Sequence, residues 1–337
     1  MTLYRIDRSP RRALAFTPME QRRHVLVDAA VLADQLGYHS VSVPEGWGFD
    51  AGIVLAEIAV KTTTVRIGTG ISSMWGRSPA TLAMMAATLD DLSGGRFTLG
   101  LGASTPTLAE RFHGVRFERP AARLDHTIRE VRSLLAGGRA TAAGGGPGLR
   151  LGLPARPDLP IWAAALGPRA TSVAVRAADG WLPWMVPLDR LDDARADAIS
   201  RAAACGNDGD PMLIAGPVIA AGSDGRRAAQ QLVGWYLTGM GPLYGDFVAS
   251  VGYAREIAAL RAANPRPVPG AIAWPAGADP LLDQLAAVGD GPSVASRLAT
   301  WDERADIVAV CVGPGGVDDV LAAVAAGAPP VCVTTAR

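Results

Sequence analysis

Two short runs of small residues in this chain could bind a negatively charged ligand. Gly102-Ala103-Ser104 follows one apolar strand segment, and Leu166-Gly167-Pro168 follows another and opens directly onto a predicted helix. The free N–H groups and the dipole at a helix N-terminus favour an anion such as phosphate. A tight turn explains each glycine taken singly, but two such runs at one edge favour a phosphate-bearing cofactor.

Four tryptophans lie near the same predicted edge. Core packing explains Trp181, whereas Trp47, Trp75 and Trp184 could wall an apolar pocket for a flat ring. Such a pocket beside an anion site suits hydride transfer, in which a bound cofactor carries the chemistry.

Acids and bases are scarce in the predicted loops at this edge. None of these loops holds a histidine, the commonest general base, and their carboxylates are Glu45, Asp50 and Asp224. No paired carboxylates, no Ser/His/Asp set and no metal-ligating cluster can be assembled from them. The sequence therefore predicts no bound metal and disfavours acid–base hydrolysis.

The stretch from position 65 to position 104 predicts the elements that position these loops. Val65–Thr69 is a β-branched strand, Ser78 and Pro79 are typical of a helix start, and Phe97–Leu101 is the next strand. Two strands joined by a helix in so few residues form a parallel βαβ unit. The loops after both strands then lie at the edge where α/β proteins bind ligands.

The remaining chain repeats this alternation, with predicted helices that include 107–112, 247–262, 280–288 and 292–301. Eight strands favour a (β/α)8 TIM barrel over an open doubly wound sheet, because no GxGxxG follows the first strand. We expect one domain over residues 1–337, with an excursion at about 238–278 between strands seven and eight. The predicted strands are 11–16, 40–43, 65–69, 97–101, 160–165, 181–185, 212–221 and 306–312, and 331–333 is a short apolar tail.

Composition limits the classes of partner. Lys plus Arg and Asp plus Glu both number 32, so the formal net charge is zero. Nucleic acid or a membrane surface would call for a basic excess, so neither is expected as a partner. The three cysteines, Cys205, Cys311 and Cys332, form no metal or disulfide pattern, and Cys311 reads as a core residue. With no apolar leader segment, a cytoplasmic location is expected.

Several motifs resemble the luciferase-like monooxygenase superfamily, which includes reductases and dehydrogenases that use the deazaflavin coenzyme F420. They are VPEGWGFD (43–50), the long segment RIGTGISSMWGRSPATLAMMAATLDDLSGGRFTLGLGAS (66–104), AALGPRA (164–170) and AADGWLP (177–183). The segment YLTGMGPLYGDF (236–247) is similar to the GMG segment of the F420-using branch. The resemblance runs from strand two to strand eight and is most specific in the long segment.

This resemblance implies a TIM barrel with a late excursion and a set of cofactor contacts. It implies a non-prolyl cis peptide at the end of strand three, here Gly70-Ile71, supporting the flavin or deazaflavin ring. Glu45 matches an acidic position beside the ring or side chain of the cofactor. The other implied contacts are Ser72 and Ser73 near the ring, and Gly102, Ala103, Ser104, Leu166, Gly167 and Pro168 near the phosphate.

Two departures from the family pattern bear on catalysis. Gly46 stands where several members carry a catalytic histidine, and Thr105 stands where sugar-phosphate dehydrogenases carry a glutamate. Both argue against that dehydrogenase activity. Protonation would need water, Glu45, a hydroxyl such as Ser73, or the substrate itself. The expected substrate pocket combines Trp47, Trp75, Thr105 and Trp184.

The leading hypothesis is an oxidoreductase that transfers a hydride between F420 and a small organic substrate. The GMG segment and a composition rich in Ala, Gly and Arg favour F420 over FMN. One alternative is a reduced-FMN-dependent monooxygenase, which would need a partner reductase. The other is a cofactor-binding paralogue without catalysis, which the missing histidine and glutamate would explain. A homodimer is expected.

Overall fold

Parallel strands alternate with helices throughout the computed structural model, which describes residues 10–207 and 209–330. All strand pairings are parallel. The strands are β1 (Arg12–Phe16), β2 (Ser40–Val43), β3 (Arg66–Thr69), β4 (Ser72–Ser73), β5 (Phe97–Gly102), β6 (Ile161–Ala164), β7 (Gly180–Leu182), β8 (Ile214–Ala215), β9 (Val218–Ala221), β10 (Ala286–Gly289) and β11 (Ile307–Val312).

These strands follow the order of a TIM barrel. From β11 the sheet runs through β1, β2, β3, β5 and β6 to β7. Trp181 in β7 forms a parallel bridge with Leu213, and β8, which begins one residue later, pairs with β11. The path thus returns to its start, with β3 and β4 as third strand, β8 and β9 as seventh and β11 as eighth. The predicted α/β barrel is confirmed.

Most of the helices surround this sheet and bury their apolar faces against it, whereas α8 and α9 pack against α7. The predicted start of α3 is confirmed, since the Ser78 hydroxyl accepts a 3.1 Å bond from the Thr81 N–H. The helices are α1 (Arg23–Gln35), α2 (Ala51–Lys61), α3 (Pro79–Leu92), α4 (Pro120–Leu135), α5 (Pro168–Ala177), α6 (Leu191–Ala204), α7 (Gly225–Thr238), α8 (Pro242–Val248), α9 (Ala254–Ala263), α10 (Asp279–Leu285), α11 (Gly291–Asp302) and α12 (Val317–Ala326).

The predicted seventh strand, 212–221, is interrupted at Gly216 and Pro217. Pro217 has no N–H to donate, and a Cβ at Gly216 would lie 2.2 Å from the Ala309 carbonyl oxygen. The main chain therefore leaves and rejoins its neighbour β11 as two short strands, β8 and β9.

Three predicted helices are also corrected. Residues 286–288, expected to end the helix from 280, form β10, which pairs with β9. The predicted helix 247–262 is divided into α8 and α9 by a π-helical turn, Ala249–Tyr253, where Gly252 has a φ of +116°. The predicted helix 107–112 is a short π-helix, Leu108–Phe112.

The excursion between the seventh and eighth strands packs beside the barrel mouth. Val248, Ile257 and Leu260 from α8 and α9 are buried against Leu232 and Leu237 of α7. The predicted apolar tail, 331–333, lies outside the described residues. Within the described ranges, no helix is both long and apolar enough to cross a bilayer.

Candidate functional site

A cavity of about 830 Å³ opens at the carboxyl ends of the strands. This is the edge where the sequence places the ligand loops, and where TIM-barrel enzymes carry their sites. Ten predicted site residues line it: Glu45, Gly70, Ile71, Ala103, Ser104, Thr105, Leu166, Gly167, Pro168 and Trp184.

The Gly70–Ile71 peptide is cis, as predicted, and forms part of one wall. Backbone bonds fix it on both sides: the Gly70 N–H donates to Val43 O at 2.9 Å, and Ile71 O accepts from the Glu45 N–H at 3.0 Å. A Cβ at position 70 would lie 2.5 Å from Ser42 Oγ and 2.8 Å from Ser42 Cβ, so any residue larger than glycine would have to displace Ser42.

The loop after β5 presents small side chains to the cavity. Ala103, Ser104 and Thr105 line it, and Ser104 has a φ of +52°. Gly102 is not among the lining residues, because it still belongs to the sheet and pairs with Ser73 and Ala164.

The loop after β6 leads into α5 with its first N–H groups unused. Gly167 is the N-cap residue and provides no side-chain cap. The N–H groups of Arg169 and Ala170 donate to no protein atom within the described ranges. A Cβ at Gly167 would likewise meet no atom of the described chain within 4 Å. The loop is thus an open cradle of backbone donors suited to an anion.

Two guanidinium groups add positive charge to the cavity wall. Arg119 precedes α4 and Arg169 lies in the first turn of α5, and both line the cavity. Among the described residues, neither side chain forms an ion pair or a hydrogen bond. Sequence reasoning missed both, although Arg169 lies within the quoted motif AALGPRA.

The Glu45 carboxylate reaches the cavity but is held by charged and backbone partners. Its Oε1 accepts a 2.7 Å bond from Arg77 Nε, and its Oε2 accepts a 3.2 Å bond from the Ser73 N–H. Burial alone would lower the Arg77 pKa, but the hydrogen bonds that Arg77 donates to the Glu45 and Asp50 carboxylates raise it above its ordinary value. Burial would raise the pKa of Asp50, but the hydrogen bond from Arg77 and its charge outweigh burial, so the pKa lies below its ordinary value. The cluster is therefore an ion-pair network rather than a free acid.

Ser72 and Ser73 are both fully buried and do not line the cavity. The Ser73 hydroxyl oxygen accepts a 3.3 Å bond from the Trp75 N–H, and the Ser72 hydroxyl has no partner among the described residues. The structure therefore does not bring the proposed Ser73 proton donor to the cavity.

Gly46, which stands where a histidine would be expected from the family pattern, is packed closely against Pro18. A Cβ on Gly46 would lie 2.5 Å from Pro18 Cβ, closer than non-bonded carbons approach. A side chain at this position therefore needs a different path of the chain around Pro18.

Of the three tryptophans predicted to wall the pocket, one lies at the cavity and two do not. Trp184 lines the cavity, and so does Trp162, which the sequence did not single out. Trp47 is 41% exposed and Trp75 is 4% exposed, and neither is a lining residue. Trp75 instead supports the β5 loop, since its Nε1 donates to Ala103 O at 2.6 Å.

An aromatic group that sequence reasoning missed, Tyr236 and Tyr244, lines the cavity beside Trp184. Tyr236 lies edge-to-face with Trp184 at 5.5 Å and with Tyr244 at 5.4 Å between ring centroids. Neither tyrosine hydroxyl forms a hydrogen bond with the part of the chain that is described. Burial raises the pKa of Tyr236 well above its ordinary value and that of Tyr244 to about 12. Both phenols therefore stay protonated. The sequence feature that could have identified both tyrosines is their position in the segment YLTGMGPLYGDF (236–247).

Cys311 of β11 also lines the cavity, although the sequence assigned it only to the core. Its thiol is 2% exposed, and burial raises its pKa above the ordinary range. The cavity end near Tyr236 therefore carries neutral hydrogen-bonding groups. No cluster of three or more metal-ligating side chains occurs within the described residues.

Comparison with known proteins agrees with this geometry. Residues 8–306 match the luciferase-like monooxygenase family. A putative coenzyme F420-dependent oxidoreductase of Mycobacterium tuberculosis is 32% identical over 323 residues, which cover 86% of this chain and 90% of that protein.

Two solved structures share the fold at lower identity. An F420-dependent secondary alcohol dehydrogenase in complex with an F420–acetone adduct has a TM-score of 0.72 and 17% identity, covering 94% of this chain and 99% of that one. The FMN-bound oxygenating constituent of 3,6-diketocamphane monooxygenase from Pseudomonas putida has a TM-score of 0.68 and 15% identity, covering 95% and 97%.

Proposed function

The chain belongs to the luciferase-like monooxygenase family, and from this membership we propose that it transfers a hydride between coenzyme F420 and an uncharged organic substrate. The structural observation that best supports this proposal is the composition of the cavity wall. One part offers backbone N–H groups and two arginines, Arg119 and Arg169, that have no partner among the described residues, and another is walled by apolar and aromatic side chains.

The donor set fits a phosphate-bearing deazaflavin. Ser104 and the start of α5 at Leu166, Gly167 and Pro168 would hold the phosphate, with Arg119 and Arg169 balancing its charge. Ile71 would support the ring, and Glu45 keeps that wall in place through its bonds to Ser73 and Arg77. When bound, F420 supplies or accepts a hydride; the protein provides binding, orientation and exclusion of water.

Neutral hydroxyl groups are the best candidates for holding the substrate. Tyr236 and Tyr244 remain protonated and lack partners within the described chain, so each can donate a hydrogen bond to a carbonyl or alcohol oxygen. Trp184, Met240 and Leu243 would contact the apolar part of the same substrate. The arrangement supports a small ketone, aldehyde, alcohol or related molecule rather than a charged one.

The FMN alternative is supported by the shared fold of an FMN-bound monooxygenase. Arg119 and Arg169, which form no ion pair within the described ranges, favour F420, because its side chain carries carboxylates in addition to the phosphate. FMN dependence would also call for a reductase partner. A paralogue without catalysis is the least supported alternative, since the cavity holds both an anion cradle and proton-bearing groups.

A homodimer in the cytoplasm completes the proposal. The outer faces of α2 and α3 expose four apolar side chains, Ile53, Val60, Met84 and Leu92, at 72%, 65%, 56% and 44%. Adjacent exposed apolar side chains of this kind are typical of protein interfaces. Within the described ranges, Cys205 and Cys311 form no disulfide with each other.

Titration of the purified protein with F420 and with FMN tests the cofactor. We expect F420 to bind more tightly, and Arg169→Gln to weaken its binding about ten-fold, the effect of one lost charge-assisted hydrogen bond. Arg176→Gln, at the far end of α5, is the matched control. Tight FMN binding without F420 binding would overturn the proposal. Binding of neither would favour the paralogue without catalysis.

A further inference from the structure

A second cavity of about 480 Å³ lies beside the first, between residues 115–119 and the start of α4. We call it the arginine groove. Arg119 and Ala122 line both cavities, so the groove continues directly from the candidate cofactor cavity. Its lining residues are Trp75, Val115, Arg116, Glu118, Arg119, Ala122, Arg123 and His126.

Positive charge dominates this lining. Three arginines face one carboxylate, that of Glu118. Glu118 lies 3.2 Å from Arg116, but the two side chains are 65% and 86% exposed, and such a pair contributes little. Arg119 forms no ion pair within the described ranges. The groove therefore keeps most of its positive charge available to an anionic ligand.

Arg123 is held in a fixed orientation. Its guanidinium carbon lies 4.6 Å above the centroid of the Trp75 ring, and its Nε donates to Met74 O at 3.3 Å. Both Nη groups remain without a hydrogen bond to any described residue. A guanidinium placed in this way can receive a carboxylate without first losing much conformational freedom.

The basic residues oppose the ordinary charge preference of a helix start. Acidic side chains are favoured in the first turn, yet α4 has none there and begins with Arg119 and Arg123 one turn apart. Arg123 and His126 lie three residues apart on one face of α4, and Arg119, the N-cap residue with a φ of +46°, lines the same groove. A bound anion would offset the mutual repulsion of Arg119 and Arg123 and their repulsion by the helix dipole.

Trp75 connects this groove to the loop assigned to the cofactor phosphate. Its ring lines the groove, while its Nε1 donates to Ala103 O, and Ala103 lines the first cavity. The phosphate loop and the groove are therefore two sides of one packed wall. A ligand that extends beyond its phosphate at this loop has a positively charged channel next to it.

We propose that the arginine groove binds the oligo-γ-glutamyl tail of the deazaflavin cofactor. Each γ-linked glutamate leaves one free carboxylate, so the tail is a flexible chain of regularly spaced negative charges. The ligand class is thus a linear polycarboxylate, recognised by charge and by guanidinium–carboxylate hydrogen bonds. The inference rests on the proposed function, since it takes F420 as the cofactor.

Equilibrium binding, followed by deazaflavin fluorescence, tests it. The ligands are F420 without glutamate and F420 with a long γ-glutamyl chain, each titrated at low salt and at about 0.5 M salt. We expect the long-tailed form to bind about five-fold or more tightly at low salt, with the difference lost at high salt. Arg116→Gln should reduce this difference, and the double variant R116Q/R123Q should remove it. Arg129→Gln, an exposed position on α4 outside the groove, is the matched control.

The outcomes separate this inference from the proposed function. Equal affinity for both tail lengths would overturn the groove assignment while leaving F420 as the cofactor. An equal loss of affinity for both forms in R116Q/R123Q would assign these arginines to the phosphate or to folding, and would also overturn it. Failure of both forms of F420 to bind wild-type protein would instead overturn the proposed function itself.

Discussion

Glu45 and Arg77 form the central ion pair beside the cavity, with Oε1 accepting a 2.7 Å bond from Nε. Arg77 also reaches Asp50 Oδ2 at 2.5 Å, and Asp50 caps α2 by accepting the Gly52 N–H. One guanidinium thus joins the loop after β2, the start of α2 and the segment after β4. Glu45 is thereby held in place as part of the cavity wall.

This role predicts strong energetic coupling between Glu45 and Arg77. Because both side chains are largely buried, Glu45→Gln and Arg77→Gln should each lower the free energy of unfolding by about 1–3 kcal/mol. The double variant should lose less than the sum, with a coupling of about 1 kcal/mol or more. Urea denaturation of the four proteins measures it. Additive losses would show that the two groups act independently.

Two glycines, Gly100 and Gly167, should differ in how much stability the protein loses when each is replaced by alanine. A Cβ on Gly100 would lie 2.0 Å from Thr69 O, inside the paired strands β3 and β5. Gly100→Ala should therefore lower stability by about 3 kcal/mol or more, or prevent folding. Gly167→Ala, whose added methyl meets open space, should stay within about 1 kcal/mol of wild type. Thermal unfolding of both variants checks the contrast, and a stable Gly100→Ala would contradict it.

The barrel and its ligand edge could be predicted from sequence because they depend on local signals. The Ser78 cap, the glycines and the apolar strands each act within a few residues. The placement of Ser73 could not be predicted, since it depends on the pairing of β4 with β5. Side chains alternate between the two faces of a strand. The register Ser73↔Gly102 therefore decides the face of the sheet on which each of the two neighbouring serines lies.

The aromatic end of the cavity was missed for a related reason. Tyr236 and Tyr244 are eight residues apart in the segment 236–247, and this spacing alone does not show that their rings meet. In the structure α7 ends at Thr238 and α8 begins at Pro242, so the two rings meet from separate helices. Only the tertiary arrangement of the excursion brings them together beside Cys311 and Trp184.

A pair of buried tyrosines provides a test of whether the Tyr236 hydroxyl is reserved for a ligand. The Tyr38 hydroxyl donates to Val324 O at 2.7 Å, whereas the Tyr236 hydroxyl has no partner within the described residues. Tyr38→Phe should therefore destabilise the protein by about 1 kcal/mol, and Tyr236→Phe by less than about 0.5 kcal/mol. Chemical denaturation gives both values. A large loss in Tyr236→Phe would show that this hydroxyl serves the fold.

The exposed apolar side chains of α2 and α3 predict a dimer that charge can disrupt. We expect light scattering to give twice the chain mass for wild-type protein and a monomer for the double variant I53D/M84D, because a charge at each position would be desolvated on association. Val268→Asp, at another exposed apolar position, should leave the dimer intact. A monomeric wild-type protein would contradict this assignment of the surface.

His39 predicts a loss of stability in mildly acidic solution. Burial, followed by the charges of Arg11 and Arg66, lowers its pKa to about 4 from the ordinary value of 6.5. Between these two values the unfolded chain binds a proton that the folded protein does not, so the free energy of unfolding falls as pH falls from 6.5 towards 4. His39→Gln should flatten this part of the stability profile, whereas His24→Gln, at an exposed position on α1, should retain the wild-type slope. Urea midpoints measured across this range check the prediction, and an unchanged slope in His39→Gln would assign the acid sensitivity to another group.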